Sequence, residues 1–449
     1  MILSITIKNW MSFKEKTFFT MEAGKEQSSR YTLADFKRFR IKILPIAAIF
    51  GSNASGKSNF FKAFSFLQHL LTEPEKGVFS SKPYTFRFDE KLRKEPSEIE
   101  IQLMLGKYVY SYFLSFTNQR IISESLTLIN TSSSNLLFRR SDTKLEAGPT
   151  LSKAITAESL RFIQPLLNKE QPALSILGEA NIDHVKDVLD WFKHSLRIIT
   201  PNSISISKLE ESNAEEWEDF ANLDTGITKI MYEDCKEKLP DEVSRLARHL
   251  LGGEFLYYQD PKSGAFRVSR NSDGLLMQKL LAVHETRPGK EVFIPFQDES
   301  EGIKRLFDLL PAMKNLKRQD GSVTYFIDEF DRSLHPKLTE HLLNQYLDSC
   351  GAETRKQLIF TTQNALLVSQ DLLRRDELWI ANRESDGSTT LYPMTDFKEL
   401  RLDKDIRKSY LEGRMGGTPN LPSYYSLRNL NCSTVSHSND KIIKLKSSL

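Results

Sequence analysis

Apolar and polar positions fall into three patterns along the 449-residue chain. Nearly unbroken apolar runs occupy Ile43–Phe50, Val323–Ile327 and Leu358–Phe360, and each stops abruptly at small or polar residues. Runs of this length without alternation suit strands covered on both faces. Alternation marks Met1–Trp10 and Ser97–Leu105, and a second strand from Lys107 to Leu114 follows across Gly106, which is a hairpin signature. Helical spacing links Phe60, Ala63, Phe64 and Leu67, then Val185, Val188, Leu189 and Phe192, then Ile303, Leu306, Phe307 and Leu310.

These patterns predict an α/β fold with a mixed or parallel core sheet, an antiparallel β layer beside it and an inserted helical subdomain. The expected divisions are an N-terminal lobe over 1–150, a helical insertion over 151–250, a C-terminal lobe over 251–430 and a Ser-, Asn- and Lys-rich tail over 431–449 that reads as disordered. The acidic stretch 210–219 reads as a solvated helix face. No sustained heptads occur, so no long coiled-coil arm is expected.

The chemistry concentrates at the ends of the apolar runs. After Phe50 comes Gly51-Ser52-Asn53-Ala54-Ser55-Gly56-Lys57-Ser58-Asn59, which fits the pattern of Gly, four residues, then Gly-Lys-Ser. Such a loop curls with its N–H groups inward, and glycines keep side chains out of a phosphate's way. Lys57 can reach the β- and γ-phosphates of ATP, and the Ser58 hydroxyl can sit on Mg2+. A strand before the loop and a helix after it is the arrangement the motif requires, because the helix N-terminus adds its partial positive charge.

The run at Val323–Ile327 ends in Asp328-Glu329. Burying two consecutive carboxylates at a strand end is costly without a cation, which gives a metal reading its motive. Asp328 is then the Mg2+ ligand and Glu329 the group that polarises an attacking water. The run at Leu358–Phe360 continues into Thr361-Thr362-Gln363-Asn364, where Gln363 suits a γ-phosphate switch. Between them, Pro336 suits the first turn of a helix, and His335 reads as a structural or interface residue. Ser300-Glu301-Gly302 opens the amphipathic helix of Ile303, so Ser300 can cap it and leave N–H groups facing an anion.

Composition changes this picture little. Charged residues make up 27% with a net charge of +3, so any acidic or nucleic-acid partner must meet a local patch. The basic cluster Lys37-Arg38-Phe39-Arg40-Ile41-Lys42 is the one candidate, read either as a solvated face or as contact with a phosphate backbone. Three scattered cysteines form no metal pattern and suit a reducing cytoplasm. No run reaches the ~18 apolar residues that span a bilayer, so no membrane partner is expected.

Taken in order, Ile7-Lys8-Asn9-Trp10 with Ser12-Phe13, then Gly51 to Ser58, then Ser300-Glu301-Gly302, then Asp328-Glu329 resemble the ABC-type ATPase heads of the SMC, RecF and OLD group. Closer still, the chain resembles standalone bacterial RloA-like or AbiL-like ATPases. The further marks are Asp224-Thr225-Gly226-Ile227, Asp396-Phe397-Lys398 and Tyr410-Leu411-Glu412-Gly413-Arg414 with Gly416-Gly417-Thr418-Pro419.

The resemblance implies a homodimer or higher oligomer that sandwiches ATP, with Ser300 and Gly302 of one copy reaching the γ-phosphate held by the other. It implies Glu329 as general base and a separately encoded nuclease-like effector of the RloB or TOPRIM type, in anti-phage defence. Where the family usually carries His, this chain has Gln363, which orients water but relays protons poorly, so slow turnover is expected. Three other readings stay open: a DNA repair or recombination ATPase acting on DNA directly, a non-hydrolysing nucleotide-gated scaffold, and a transporter subunit. The transporter is disfavoured by the long insertion between Ser58 and Val323.

Overall fold

In the computed structural model, residues 1–419 are described except 26–30, 74–78, 80–83, 156, 181, 202–204, 211–221, 236–238, 249, 251–253, 261–263, 272–273, 288, 319 and 398–405. The acidic stretch (apart from Glu210) and the tail after 431 therefore lie outside the described residues, as does Cys432.

Two sheets frame the site. The first is antiparallel and has seven strands: β1 (Ile2–Lys8), β2 (Thr17–Thr20), β6 (Ser97–Leu105), β7 (Tyr108–Phe116), β8 (Ile121–Ile129), β9 (Ser134–Ser141) and β10 (Lys144–Ala147). Their order is β10-β9-β8-β7-β6-β1-β2. The β6–β7 pair is the hairpin read from alternation, and Gly106 takes φ 57° at its turn. A short hairpin of β3 (Ala34–Phe36) and β4 (Ile41–Ile43) precedes the core.

The second sheet is the core, with β5 (Ile46–Phe50), β11 (Leu196–Ile199), β18 (Val323–Ile327), β19 (Lys356–Thr362), β20 (Leu378–Arg383) and β21 (Thr389–Pro393). Their order is β11-β18-β19-β5-β20-β21, parallel throughout except for β21. Every residue of β5, β18 and β19 is buried, which is why these strands read as unbroken apolar runs. Successive residues of β5 serve opposite faces. Ala47 and Ile49 join the hydrophobic cluster under the antiparallel sheet, while Ile46, Ala48 and Phe50 join the cluster under the later helices.

Helix α1 (Lys57–Thr72) packs Phe60, Phe61, Ala63, Phe64, Phe66 and Leu67 into the first cluster, where Phe61 and Phe64 meet Phe326 of β18. The helices Glu301–Lys317 and Pro336–Asp348 cover the opposite face. One amide joins the two sheets: Gln357 accepts from the Ile2 N–H at 2.6 Å and donates to the Ile2 and Leu44 carbonyls.

The region 151–250 differs from the helical expectation. Short helices α2 (Pro149–Ala154), α3 (Ala157–Ile163), α4 (Ala173–Glu179) and α5 (Val185–Asp190) lead into a π-turn at Trp191–Ser195, and one more short helix lies further on at Asp241–Ala247. Then β11 enters the core sheet, and β12 (Ser205–Glu210) and β13 (Ile227–Cys235) open a third sheet. That sheet adds β14 (Glu254–Asp260), β15 (Gly264–Asn271), β16 (Gly274–Arg287) and β17 (Lys290–Pro295). The physical reason is that β11 has only four residues, too few for a periodicity to separate strand from helix. Among the described residues, no helix is long and apolar enough to cross a membrane.

Candidate functional site

The glycine loop lies between β5 and α1, at the C-terminal edge of the core sheet, where ligands of open α/β sheets bind. Glycine is needed at two of its positions. A Cβ on Gly51 would lie 2.5 Å from the Ala381 carbonyl oxygen of β20, and Gly56 has φ 99° with Thr389 and Ser12 hydroxyls pressed against it. Asn53 and Ala54 form the exposed tip, with Ala54 at φ 60°. Ser52, Ser58 and Asn59 are half-buried.

The loop is braced from behind by residues that pattern reading does not single out. Thr389 Oγ1 donates to the Ser55 carbonyl at 2.9 Å and lies 2.8 Å from Ser12 Oγ. Asn59 donates to Ser12 Oγ at 2.9 Å, and Trp10 Nε1 donates to the Asn59 carbonyl at 2.8 Å. The Asn9–Phe13 segment after the first strand is therefore part of the loop's foundation.

Lys57 is buried, and its ammonium donates to the Gly51 carbonyl (2.7 Å) and the Ser52 carbonyl (2.9 Å). Burial lowers its pKa, opposed by the charges of Asp328, Glu329 and Asp331, whose electrostatic influence reaches it across β19. The acids sit past β18, with β19 between them and the glycine loop. Asp328 Oδ1 accepts from Thr361 Oγ1 at 2.6 Å, and the Glu329 N–H donates to the same Thr361 oxygen at 2.8 Å. Asp328 is buried, whereas Glu329 is exposed enough to meet water and lies 3.9 Å from Arg332.

Glu329 holds φ 48°, a left-handed conformation that costs a non-glycine residue on the order of 1 kcal/mol or more. Asp331 is hydrogen-bonded by Thr362, and burial raises its pKa, with Thr362, Arg305 and Lys57 opposing. Gln363, directly after these threonines, is exposed.

Ser300 caps the helix Glu301–Lys317, accepting from the Ile303 N–H at 3.3 Å. Two contacts tie that helix start to the acidic tip. Arg305 donates to the Asp328 and Glu329 carbonyls, each at 2.9 Å, and a Cβ on Gly302 would stand 2.7 Å from the Ser333 carbonyl. Burial lowers the Arg305 pKa. Among the described residues, no hydrogen bond or ion pair joins Ser300, Glu301 or Gly302 to residues 51–59. His335 accepts from the Lys337 N–H at 3.2 Å, so it caps its helix.

The Asp224–Ile227 mark forms a turn with Gly226 at φ 75° beside His284, whose Nε2 lies 2.7 Å from Glu299. Glu299 immediately precedes Ser300, so this mark braces the capped helix from behind. Gly416 and Gly417 press on Tyr392 and Ile380 at the end of β20 and β21.

The residues present suit a magnesium nucleotide. Among the described residues, Ser55 Oγ is buried in the loop with no hydrogen-bond partner, and Lys57 bonds two loop carbonyls and no other group. Among the described residues, no group of three or more His, Cys, Asp or Glu is placed for a metal. Ser58 with Asp328 supplies just the few oxygens that Mg2+ takes when phosphates and waters complete its shell.

Residues 46–369 match the family described as AAA domain, putative AbiEii toxin, type IV TA system. No curated protein matches. The SMC head domain from Thermotoga maritima aligns at 13% identity over 87% of this chain and 98% of its own, with a TM-score of 0.34. An SmcHead bound to the C-winged helix domain of ScpA aligns at 12% identity over 87% of this chain and 97% of its own, with a TM-score of 0.37.

Proposed function

The chain belongs to the AAA-domain family described as putative AbiEii toxin, type IV TA system, and from that premise we propose that it binds and hydrolyses Mg2+-ATP at the Gly51–Asn59 loop. The observation that carries this reading is Lys57, which is buried on the loop's own carbonyls at the end of β5, one strand away from the Asp328-Glu329 tip of β18 across β19.

In this reading the N–H groups of Ser52 to Ser58 cradle the phosphates, and Lys57 exchanges its loop carbonyls for phosphate oxygens. Ser58 and Asp328 hold Mg2+, which when bound neutralises phosphate charge and orients the nucleotide. Glu329, half-buried at the strand tip, accepts a proton from the attacking water, and Gln363 orients that water from the end of β19. Arg305 fixes the carbonyls of both acids, so the carboxylates project from a rigid base.

The test is nucleotide affinity and turnover. Lys57→Ala should lose ATP affinity by at least about 100-fold, while Glu329→Gln should keep affinity and lose turnover by roughly 100-fold or more. Undiminished turnover in Glu329→Gln would sink the assignment of that residue.

The finer reading is that ATP closes a homodimer which senses or gates a nuclease-like effector in anti-phage defence, as the RloA-like and AbiL-like resemblance implies. Its support is the order of the motifs and the Ser300 cap, a helix start held against the acidic tip by Arg305 rather than, among the described residues, against its own glycine loop. Light scattering of Glu329→Gln with ATP tests it: a monomer at saturating nucleotide would overturn it.

A further inference from the structure

At the end of the antiparallel sheet away from Lys57, five cations converge, and among the described residues none has a carboxylate partner. The direction is set by β1, which runs from Ile2 beside Gln357 to the Trp10 that touches Asn59 of the glycine loop. Nine residues of β6 span the same length, roughly 30 Å at ~3.3 Å per residue. At that distal end the β3–β4 turn carries Lys37, Arg38 and Arg40, β4 carries Lys42, and the β6–β7 turn carries Lys107. All five are exposed, and none forms an ion pair among the described residues.

The patch is built rather than scattered. Arg38 donates to the Lys107 carbonyl at 3.4 Å and to Asn130 Oδ1 at 3.5 Å, so the β3–β4 turn is laid across two turns of the antiparallel sheet. Arg38 stacks on Phe39 at 5.6 Å and Lys107 on Tyr108 at 5.4 Å. Beside them Arg355 lies 4.5 Å over Phe36, paired with Glu353. Arg40 keeps φ 57°, where glycine or asparagine would sit without strain. Nearby carboxylates are few: Asp35 stands opposite Lys42 in register without an ion pair, and Glu22 bridges to Ile43.

We propose that this distal basic face binds the phosphodiester backbone of duplex nucleic acid, independently of sequence. Three features favour that partner. The cations line protruding turns rather than a cavity, which suits an extended polyanion over a free phosphate. The rings beside them, Phe39 and Tyr108, are half-buried and each already carries a cation over one face, which favours contact with phosphates over base stacking. Stacking also fixes the long side chains in advance, which lowers the entropy lost on binding. The inference is independent of ATP hydrolysis.

The experiment is fluorescence anisotropy with a labelled duplex of about 30 base pairs, between about 50 and 200 mM salt. The triple variant Lys37→Gln/Arg40→Gln/Lys42→Gln should bind at least about 10-fold more weakly, and its slope of log affinity against log salt should shrink by about 2 to 3. Arg40→Lys, which keeps the charge, should bind like wild type, and ATP affinity should be unchanged in every variant. The proposal is overturned if wild type does not bind the duplex or if the triple variant binds as tightly. It is equally overturned if Arg40→Lys behaves like the triple variant, or if poly-glutamate competes as well as unlabelled duplex, since that would assign the face to an acidic protein.

Discussion

Thr361 Oγ1 stands between the two acids of the β18 tip, donating to Asp328 Oδ1 at 2.6 Å and receiving the Glu329 N–H at 2.8 Å. One hydroxyl on the neighbouring strand thus sets the carboxylate of the first acid and the backbone of the second. Thr361→Val keeps the shape and removes both bonds, leaving a buried carboxylate oxygen and a backbone N–H unpaired. A loss of roughly 2 kcal/mol or more in unfolding free energy is expected. If Asp328 takes Mg2+, the Mg2+ concentration needed for half-maximal nucleotide binding should also rise. Unchanged denaturant and Mg2+ titrations would refute the bridging role.

Gly302 faces the Ser333 carbonyl with no room for a methyl group, since a Cβ would sit 2.7 Å away. Gly302→Ala must push the helix start off the loop after the acids, at a cost of about 1 to 3 kcal/mol. ATP affinity of the isolated chain should hold, because the glycine loop is elsewhere. Loss of that affinity would show that the helix start supports the loop directly.

Gln363 is exposed beyond the threonines of β19 and cannot carry charge. Gln363→His is expected to raise the turnover rate several-fold near neutral pH, by supplying a group that relays protons. An unchanged rate would end the slow-turnover account.

Glu377 lies buried at the start of β20. Burial raises its pKa to about 8, opposed by hydrogen bonds from Tyr31 OH and the Arg374 N–H, supported by the charge of Asp376 and opposed by that of Arg374. The Cys350 thiol also faces this cluster. The folded state holds this proton more tightly than the unfolded chain, whose ordinary value is 4.5. Its stabilising effect is therefore full below about pH 4.5 and is lost as pH rises towards about 8. Melting temperature should fall between about pH 5 and 8, and Glu377→Gln should flatten that decline. An identical slope in the variant would be the contrary result.

Glu124 and Arg140 are both fully buried, 3.7 Å apart. Glu124 accepts from the Ala173 and Leu174 N–H groups at the start of α4 and from Tyr112 OH, while Arg140 donates to the carbonyls of Asp142, Asn168 and Gln171. This network fastens the helical segment to the antiparallel sheet. Arg140→Met leaves a buried carboxylate without its cation and should cost about 3 to 5 kcal/mol by chemical denaturation. A cost under about 1 kcal/mol would show that the helix N-terminus alone compensates Glu124.

Legibility in the sequence followed the range of the forces involved. The strand–loop–helix of Ile46 to Thr72, the Val323 strand, the Ser300 cap and the β6–β7 hairpin are each fixed by neighbours in sequence, and each was readable there. The four-residue β11 and the strands between Ser205 and Pro295 were not readable, because their identity depends on partners far along the chain. Within the site, Thr361, Thr389, Ser12 and Arg305 are ordinary residues by type. Only the fold brings them against the loop and the acids, and the one available hint was a pair of threonines closing an apolar strand.

The order of strands in the core sheet also bears on how the polypeptide is made. Ile46–Phe50 leaves the ribosome early, yet its two partners, Lys356–Thr362 and Leu378–Arg383, emerge some 300 residues later. At the roughly 5–20 residues per second of protein synthesis, that apolar segment waits on the order of tens of seconds before it can be paired on either edge. The nascent chain must shelter this wholly apolar stretch throughout that interval, and an early truncation would release it unprotected.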